Sequence, residues 1–125
     1  MKTVLHIEND PDCLELSRIV LERNGYKYLS ASSTAFGLLL AEQEQLDLVI
    51  LAAQLPNQTG SEVAQELSDH PLASKIPLVF FCTTEEYRAL QEQLPKNCGS
   101  EIGYIAKPTT YQDFLEGIQD ALNSC

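Results

Sequence analysis

The residues to examine for chemistry in this chain stand near the ends of four apolar runs. They are Glu8, Asn9, Ala52, Gln54, Cys82, Thr83 and Lys107. Carboxylate and amide oxygens suit a hard cation such as Mg²⁺, and a carboxylate can also act as a nucleophile. Alanine offers neither a ligand nor a nucleophile. A site built from these residues therefore lacks a side-chain donor at position 52.

The apolar runs alternate with helical patterns along the whole chain. The predicted strands are residues 4–7, 26–31, 46–53, 76–82 and 102–106, and the predicted helices are residues 11–24, 35–43, 61–70, 85–94 and 110–122. Residues 46–53 form the most apolar stretch, as expected for a central parallel strand covered on both faces. Pro56 and Gly60 predict a loop over residues 55–60.

Strict alternation of strand and helix predicts one α/β domain over residues 1–125. We expect a three-layer, doubly wound (βα)5 fold of the flavodoxin-like kind, with a parallel five-stranded sheet in the order 2-1-3-4-5. Ligands of such sheets bind at the carboxyl ends of the strands, near the switch in strand order. The polar residues named above therefore belong to the part of the fold where function is expected.

Composition excludes several classes of function. A formal net charge of −10 with only 8 Lys and Arg residues argues against direct nucleic-acid binding. The sequence has no apolar run near the roughly 20 residues of a membrane span and no signal-peptide pattern, so a cytoplasmic protein is expected. Its four cysteines, Cys13, Cys82, Cys98 and Cys125, lack metal-ligand spacing. We therefore expect no metal-thiolate chemistry.

Four motifs in order give the chain a family resemblance. They read IENDP at residues 7–11, DLVILAAQLP at 47–56 followed by Gly60, IPLVFF at 76–81, and YIAKP at 104–108. In this order and spacing the chain resembles response-regulator receiver domains over essentially its whole length. The resemblance implies a role in two-component or phosphorelay signalling.

The resemblance also shows where this chain departs from the family. In receivers, two acidic residues end strand one and an aspartate ends strand three; together they hold Mg²⁺, and the aspartate accepts a phosphoryl group. The matching positions here are Glu8, Asn9 and Ala52. A site without two of its three anionic ligands should lose most of its affinity for Mg²⁺. The resemblance therefore implies a pseudo-receiver with no phosphoacceptor. On the same grounds we expect no functional metal site, no cofactor and no enzymatic activity.

Other positions of the family's site are partly retained. Cys82, with Thr83 beside it, stands where the family usually has Thr or Ser, and a thiol is a weak donor. Lys107 matches the lysine that contacts the phosphoryl oxygens, and Tyr104 matches an aromatic that changes rotamer on activation. We expect Lys107 to pair with Glu8, because a lone charge in a cleft is costly.

Structural roles are open for some of these residues. Glu8, Asn9 and Asp10 could only cap the first helix, and Lys107-Pro108 could only form a turn, which in receivers often has a cis peptide bond. Cys82 has the features of an inert buried thiol. His6 on the first predicted strand is interpreted as structural.

Three functions compete. The leading hypothesis is a binding module that docks a histidine kinase, a regulator or a second copy of itself through helix 4, strand 5 and helix 5. The alternative is a working phosphoacceptor that uses Glu8 or Asp10; Asp47 is a poor candidate, about 16 Å from the far end of its strand. A flavodoxin-like cofactor binder is disfavoured, because the acidic segment at residues 8–12 would repel a phosphate.

Overall fold

Strands and helices alternate in the structure, a computed structural model that describes residues 1–94 and 102–123. The strands of the main sheet are β1 Thr3–Ile7, β2 Lys27–Ala31, β3 Leu48–Ala52, β4 Leu78–Cys82 and β5 Ile102–Ala106. The helices are α1 Pro11–Arg23, α2 Thr34–Gln43, α3 Gly60–Asp69, α4 Thr84–Gln91 and α5 Tyr111–Asn123, with a 3₁₀ turn at Ala73–Lys75. Cys98 and Cys125 lie outside the described residues.

The sheet is parallel throughout, and its order is β2-β1-β3-β4-β5. All five residues of β1, β3 and β4 are buried, because helices cover both faces of the sheet. The predicted fold class and strand order are confirmed. No helix in the described part of the chain is long and apolar enough to cross a membrane.

Alternate residues of each inner strand enter two separate cores. On one face, Leu5, Leu51 and Phe80 pack with residues of α3 and α4. On the other face, Ile50 and Phe81 pack in a cluster with apolar residues of α1 and α5. Period-two alternation of a strand buried on both sides produces this division.

The loop after β3 is more ordered than predicted. Gln54–Leu55 and Gln58–Thr59 pair as a short antiparallel ribbon within the segment interpreted as a loop. Gly60 follows, and its N–H donates to the Ala53 carbonyl over 2.7 Å. A Cβ on Gly60 would lie 2.8 Å from that oxygen, so only glycine fits this approach.

Candidate functional site

The register of the sheet brings the candidate residues to one edge. Ile7 lies beside Leu51, Ala52 beside Phe81, and Cys82 beside Ala106. The residues that end or follow these strands therefore lie at the same carboxyl edge, as expected for a parallel sheet. The edge thus brings together Glu8, Ala52, Cys82 and Lys107.

Glu8 is a buried carboxylate with one satisfied oxygen and one without a hydrogen bond. The residue is 3% exposed. Its Oε2 accepts the backbone N–H groups of Asn9 at 3.1 Å and Asp10 at 3.3 Å. Its Oε1 has no hydrogen-bond partner among the described residues. Burial raises the pKa of Glu8, and the charge of Lys107 opposes that rise.

Lys107 supplies the positive charge nearest to Glu8. Its Nζ lies 3.8 Å from Glu8 Oε1, so the expected proximity is confirmed at a distance too long for a direct hydrogen bond. The same ammonium lies 4.8 Å from the centre of the Phe81 ring, in cation–π geometry. Burial acts to lower the pKa of Lys107, but contact with Cys13 and the charge of Glu8 outweigh it, so that pKa is raised.

His6, which was interpreted from the sequence as a structural residue, lies next to Glu8. Its Nε2 lies 3.9 Å from Glu8 Oε1. The side chain is fully buried, and neither ring nitrogen has a hydrogen-bond partner within the described ranges. Burial, with a smaller contribution from Lys107, lowers the pKa of His6 to about 3. The ring is therefore neutral near pH 7. In the sequence, the position of His6 within the apolar run of residues 4–7 indicated that its side chain would be buried.

Asp10 and Cys13 occupy the start of α1 beside Lys107. Asp10 caps the helix by accepting the N–H of Asp12 over 2.9 Å. Its other oxygen accepts the Cys13 thiol at 3.4 Å. Burial raises the pKa of the Cys13 thiol, although Lys107 opposes the rise. Asp10 thus has the capping role that was one of the two interpretations.

The donors at this edge do not fit a magnesium ion. Ala52 is buried and carries no donor atom, and one oxygen of Glu8 is already taken by backbone N–H groups. Asn9 is exposed. Among the described residues no group of three or more His, Cys, Asp or Glu side chains is placed to hold a metal. One carboxylate next to an ammonium group is a poor donor set for a hard cation.

Cys82 and Thr83 take structural roles at the end of β4. Cys82 is fully buried, and burial, with the charge of Glu86, raises the pKa of its thiol to about 11. The thiol is therefore protonated at neutral pH. Thr83 caps α4: its hydroxyl accepts the Glu86 N–H at 3.1 Å, and Glu86 accepts the Thr83 N–H at 2.9 Å.

Tyr104 lies on the surface between β5 and α4. Its ring stacks on Tyr87 of α4, with ring centres 4.2 Å apart and an angle of 14° between the planes. Its hydroxyl lies 3.3 Å from the Thr84 hydroxyl. Tyr87 in turn donates to the Ile102 carbonyl at 2.9 Å. These contacts attach Tyr104 to α4 and leave it 37% exposed.

An apolar cavity adjoins Lys107. It has a volume of about 400 Å³ and is lined by Asp12, Cys13, Leu16, Phe81, Thr83, Lys107, Pro108 and Thr109. The Lys107–Pro108 peptide bond at its rim is cis, as the resemblance implied.

Comparisons with known proteins agree with one another. A family model described as "Response regulator receiver domain" matches residues 4–119. The polar-differentiation response regulator DivK of Brucella ovis is 30% identical over 121 residues, covering 97% of this chain and 96% of DivK. The positive alginate biosynthesis regulatory protein of Pseudomonas aeruginosa is 31% identical, covering 94% of this chain. The match spans 46% of that longer relative.

Solved structures show the same fold at lower identity. The chemotaxis protein CheY4 of Vibrio cholerae superposes with a TM-score of 0.78 at 20% identity, covering 97% of this chain and 98% of that one. A signal receiver domain of an HD domain-containing protein from Pseudomonas fluorescens gives a TM-score of 0.82 at 22% identity, covering 98% and 88%. At these identities the likeness shows the fold alone.

Proposed function

The chain belongs to the response regulator receiver domain family, whose members act in two-component signalling, and on that premise we propose that it works as a phosphorylation-independent protein-interaction module. One observation carries the proposal: residue 52, which ends the third strand of the sheet, is a buried alanine. Acyl phosphate formation needs a carboxylate nucleophile in line with the phosphodonor. A methyl group supplies none.

Two other carboxylates that could be considered as phosphoacceptors, Asp10 and Asp47, have contacts of their own. Asp10 caps α1 through one oxygen and accepts the Cys13 thiol through the other. Asp47 lies before the first residue of β3 and accepts the Thr3 N–H over 2.8 Å. These roles favour a chain that signals through contact over one that accepts a phosphoryl group.

Glu8 is the residue that supports a second candidate function, that of a phosphoacceptor. Its Oε1 has no hydrogen-bond partner within the described ranges and lies 3.8 Å from the Lys107 ammonium. A receiver that used Glu8 as its phosphoacceptor would place the phosphoryl group beside that lysine. The carboxylate is 3% exposed and has a raised pKa, which disfavours attack on a soluble phosphodonor.

The docking surface in the proposal is formed by α4, β5 and α5. On this surface the exposed Tyr104 of β5 stacks on Tyr87 of α4 and so joins the two elements. Aromatic side chains with a polar tip are common anchors of protein interfaces. A histidine kinase, another regulator or a second copy of the chain is the class of partner proposed.

The test is an intact-mass measurement after incubation with acetyl phosphate and Mg²⁺. The native chain is expected to stay unmodified. An Ala52→Asp variant, and a second one that also carries Asn9→Asp, should gain the mass of one phosphoryl group, because they restore the nucleophile and a metal ligand. Ala53→Asp is the matched control: it adds the same charge one residue further on.

Two results would count against the proposal. An adduct on the native chain that disappears in Glu8→Gln would establish the second candidate function. An adduct that survives Glu8→Gln would point to Asp10, and peptide mapping would identify the modified residue.

A further inference from the structure

We infer that the outer edge of β5 and the adjoining face of α5 form a groove that docks an extended, positively charged segment of a partner protein. The inference rests on the proposed function, since it names the chemistry of the partner for the same surface. It depends on three features: a free strand edge, an open groove beside it, and unpaired acidic side chains along one wall.

The first feature is the edge of the sheet. β5 is the last strand in the order β2-β1-β3-β4-β5 and pairs only with β4 among the described residues. Across that ladder, the Lys107 N–H donates to the Cys82 carbonyl. Alternation along a strand then directs the peptide groups of Tyr104 and Ala106 away from β4. A free edge of this kind can pair with an added strand.

The second feature is the groove between this edge and α5. Two cavities of about 300 and 310 Å³ meet at Tyr104, Gly117 and Asp120. A Cβ added to Gly103 would meet nothing within 4 Å, so the strand is open there. A Cβ on Gly117 would lie 2.8 Å from the Ile105 side chain, so α5 packs closely on β5 at the floor of the groove. The groove is long enough to follow β5 from Gly103 to Ala106.

The third feature is charge. Asp113, Glu116 and Asp120 lie on the exposed side of α5 and line the second cavity. Neither cavity is lined by a Lys or Arg residue. None of the three carboxylates forms an ion pair with another described residue. The wall therefore carries negative charge that no ion pair with a described residue compensates.

These features together indicate which kind of molecule would bind in the groove. This wall would repel a nucleic acid and a second copy of a chain with net charge −10, so of the partners proposed above a histidine kinase or another regulator remains. An extended segment satisfies the free peptide groups of β5 and directs every second side chain to the same side. Lys or Arg at alternate positions would then face α5. The partner segment is thus a basic strand that adds to the sheet.

The experiment uses a short synthetic peptide with lysine and valine at alternating positions, added to the isotope-labelled chain. Binding is followed by NMR chemical-shift changes and by fluorescence anisotropy. The expected shifts map to the amides of Tyr104 and Ala106 and to α5. A peptide with glutamate in place of lysine should not bind. A peptide N-methylated at alternate residues should lose binding, because it cannot pair with the edge of β5.

Two double variants of the chain distinguish the effect of the charges beside the groove on peptide binding from the effect of overall net charge. The double variant Glu116→Gln/Asp120→Asn should weaken peptide binding roughly fivefold to tenfold at low salt. Glu66→Gln/Asp69→Asn makes the same change of net charge at two exposed positions of α3, outside the docking surface, and should have a much smaller effect. Far-UV circular dichroism confirms that all variants fold.

Equal weakening by both double variants, unchanged binding of the N-methylated peptide, or shifts that map elsewhere would overturn the inference. Failure of the proposed function would be observed separately, as a phosphoryl adduct on the native chain. A chain that stays unmodified and does not bind the lysine peptide would refute the partner chemistry while leaving the proposed function in place.

Discussion

Replacing the buried His6 with leucine should make the chain less sensitive to mild acid. Burial lowers the pKa of His6 to about 3, against an ordinary value of 6.5. As pH falls below 6.5 the unfolded chain takes up this proton and the folded chain does not. Stability due to the neutral ring is therefore complete above pH 6.5 and is lost progressively as pH falls towards 3.

The size of the effect follows from the same two values. Each pH unit in this window costs about 1.4 kcal/mol of unfolding free energy. At about pH 5 the buried ring should therefore destabilise the native chain by about 2 kcal/mol relative to neutral pH. The ring nitrogens have no hydrogen-bond partner within the described ranges, so a leucine of similar size removes this cost and leaves no polar group unpaired.

The assay is urea unfolding of the native chain and the His6→Leu variant at about pH 7.5 and about pH 5. The difference in unfolding free energy between the two proteins should shift by about 2 kcal/mol in favour of the variant at the lower pH. Val4→Ala is the control: it alters a buried side chain on the same face of β1 that does not titrate. The decrease in unfolding free energy caused by Val4→Ala should be equal at both pH values. A shift below roughly 0.5 kcal/mol would refute the reasoning.

Two further predictions concern Gly60, which follows the turn after β3, and the ion pair between Lys107 and Glu8. Gly60→Ala should lower the unfolding free energy by about 1–3 kcal/mol, measured in urea, because the new Cβ meets the Ala53 oxygen and the Phe80 ring; Gly103→Ala, which meets nothing within 4 Å, should change it far less. Lys107→Met should raise the pKa of Glu8 further, because desolvation is then no longer opposed by the ammonium. An NMR titration of the Glu8 carboxyl carbon measures that pKa, and an unchanged or lower value would contradict the assigned cause.

Local patterns in the sequence were sufficient for most of the fold. Apolar runs predicted β1, β3 and β4 because strands buried on both faces consist of continuous apolar residues. The edge strands β2 and β5 are partly exposed and were predicted as short strands between helical patterns. Strict alternation with helices then leaves few topologies, since crossovers are right-handed. The ribbon Gln54–Leu55 with Gln58–Thr59 was missed. Strands of two residues are too short to show periodicity.

The candidate site was predictable where it depends on residue identity. An alanine at position 52 and a lysine before Pro108 can be recognised without coordinates. The proximity of Lys107 to Glu8 was expected from the cost of an unpaired charge, but its distance of 3.8 Å depends on the register of strands far apart in sequence. His6 was interpreted as structural, but the sequence did not show whether its ring nitrogens are hydrogen-bonded, because only the neighbours of an imidazole within a strand decide that.

The amino-acid sequence by itself determined the order of elements, the alanine at position 52 and the excess of negative charge, because these are properties of residue type and spacing. Tertiary structure alone decided which polar atoms of the described residues are buried without hydrogen-bond partners, where Tyr104 stacks, and that three acidic residues of α5 line a cavity beside β5. Desolvation and groove shape arise from packing between distant segments, and packing of that kind leaves no local signature in the chain.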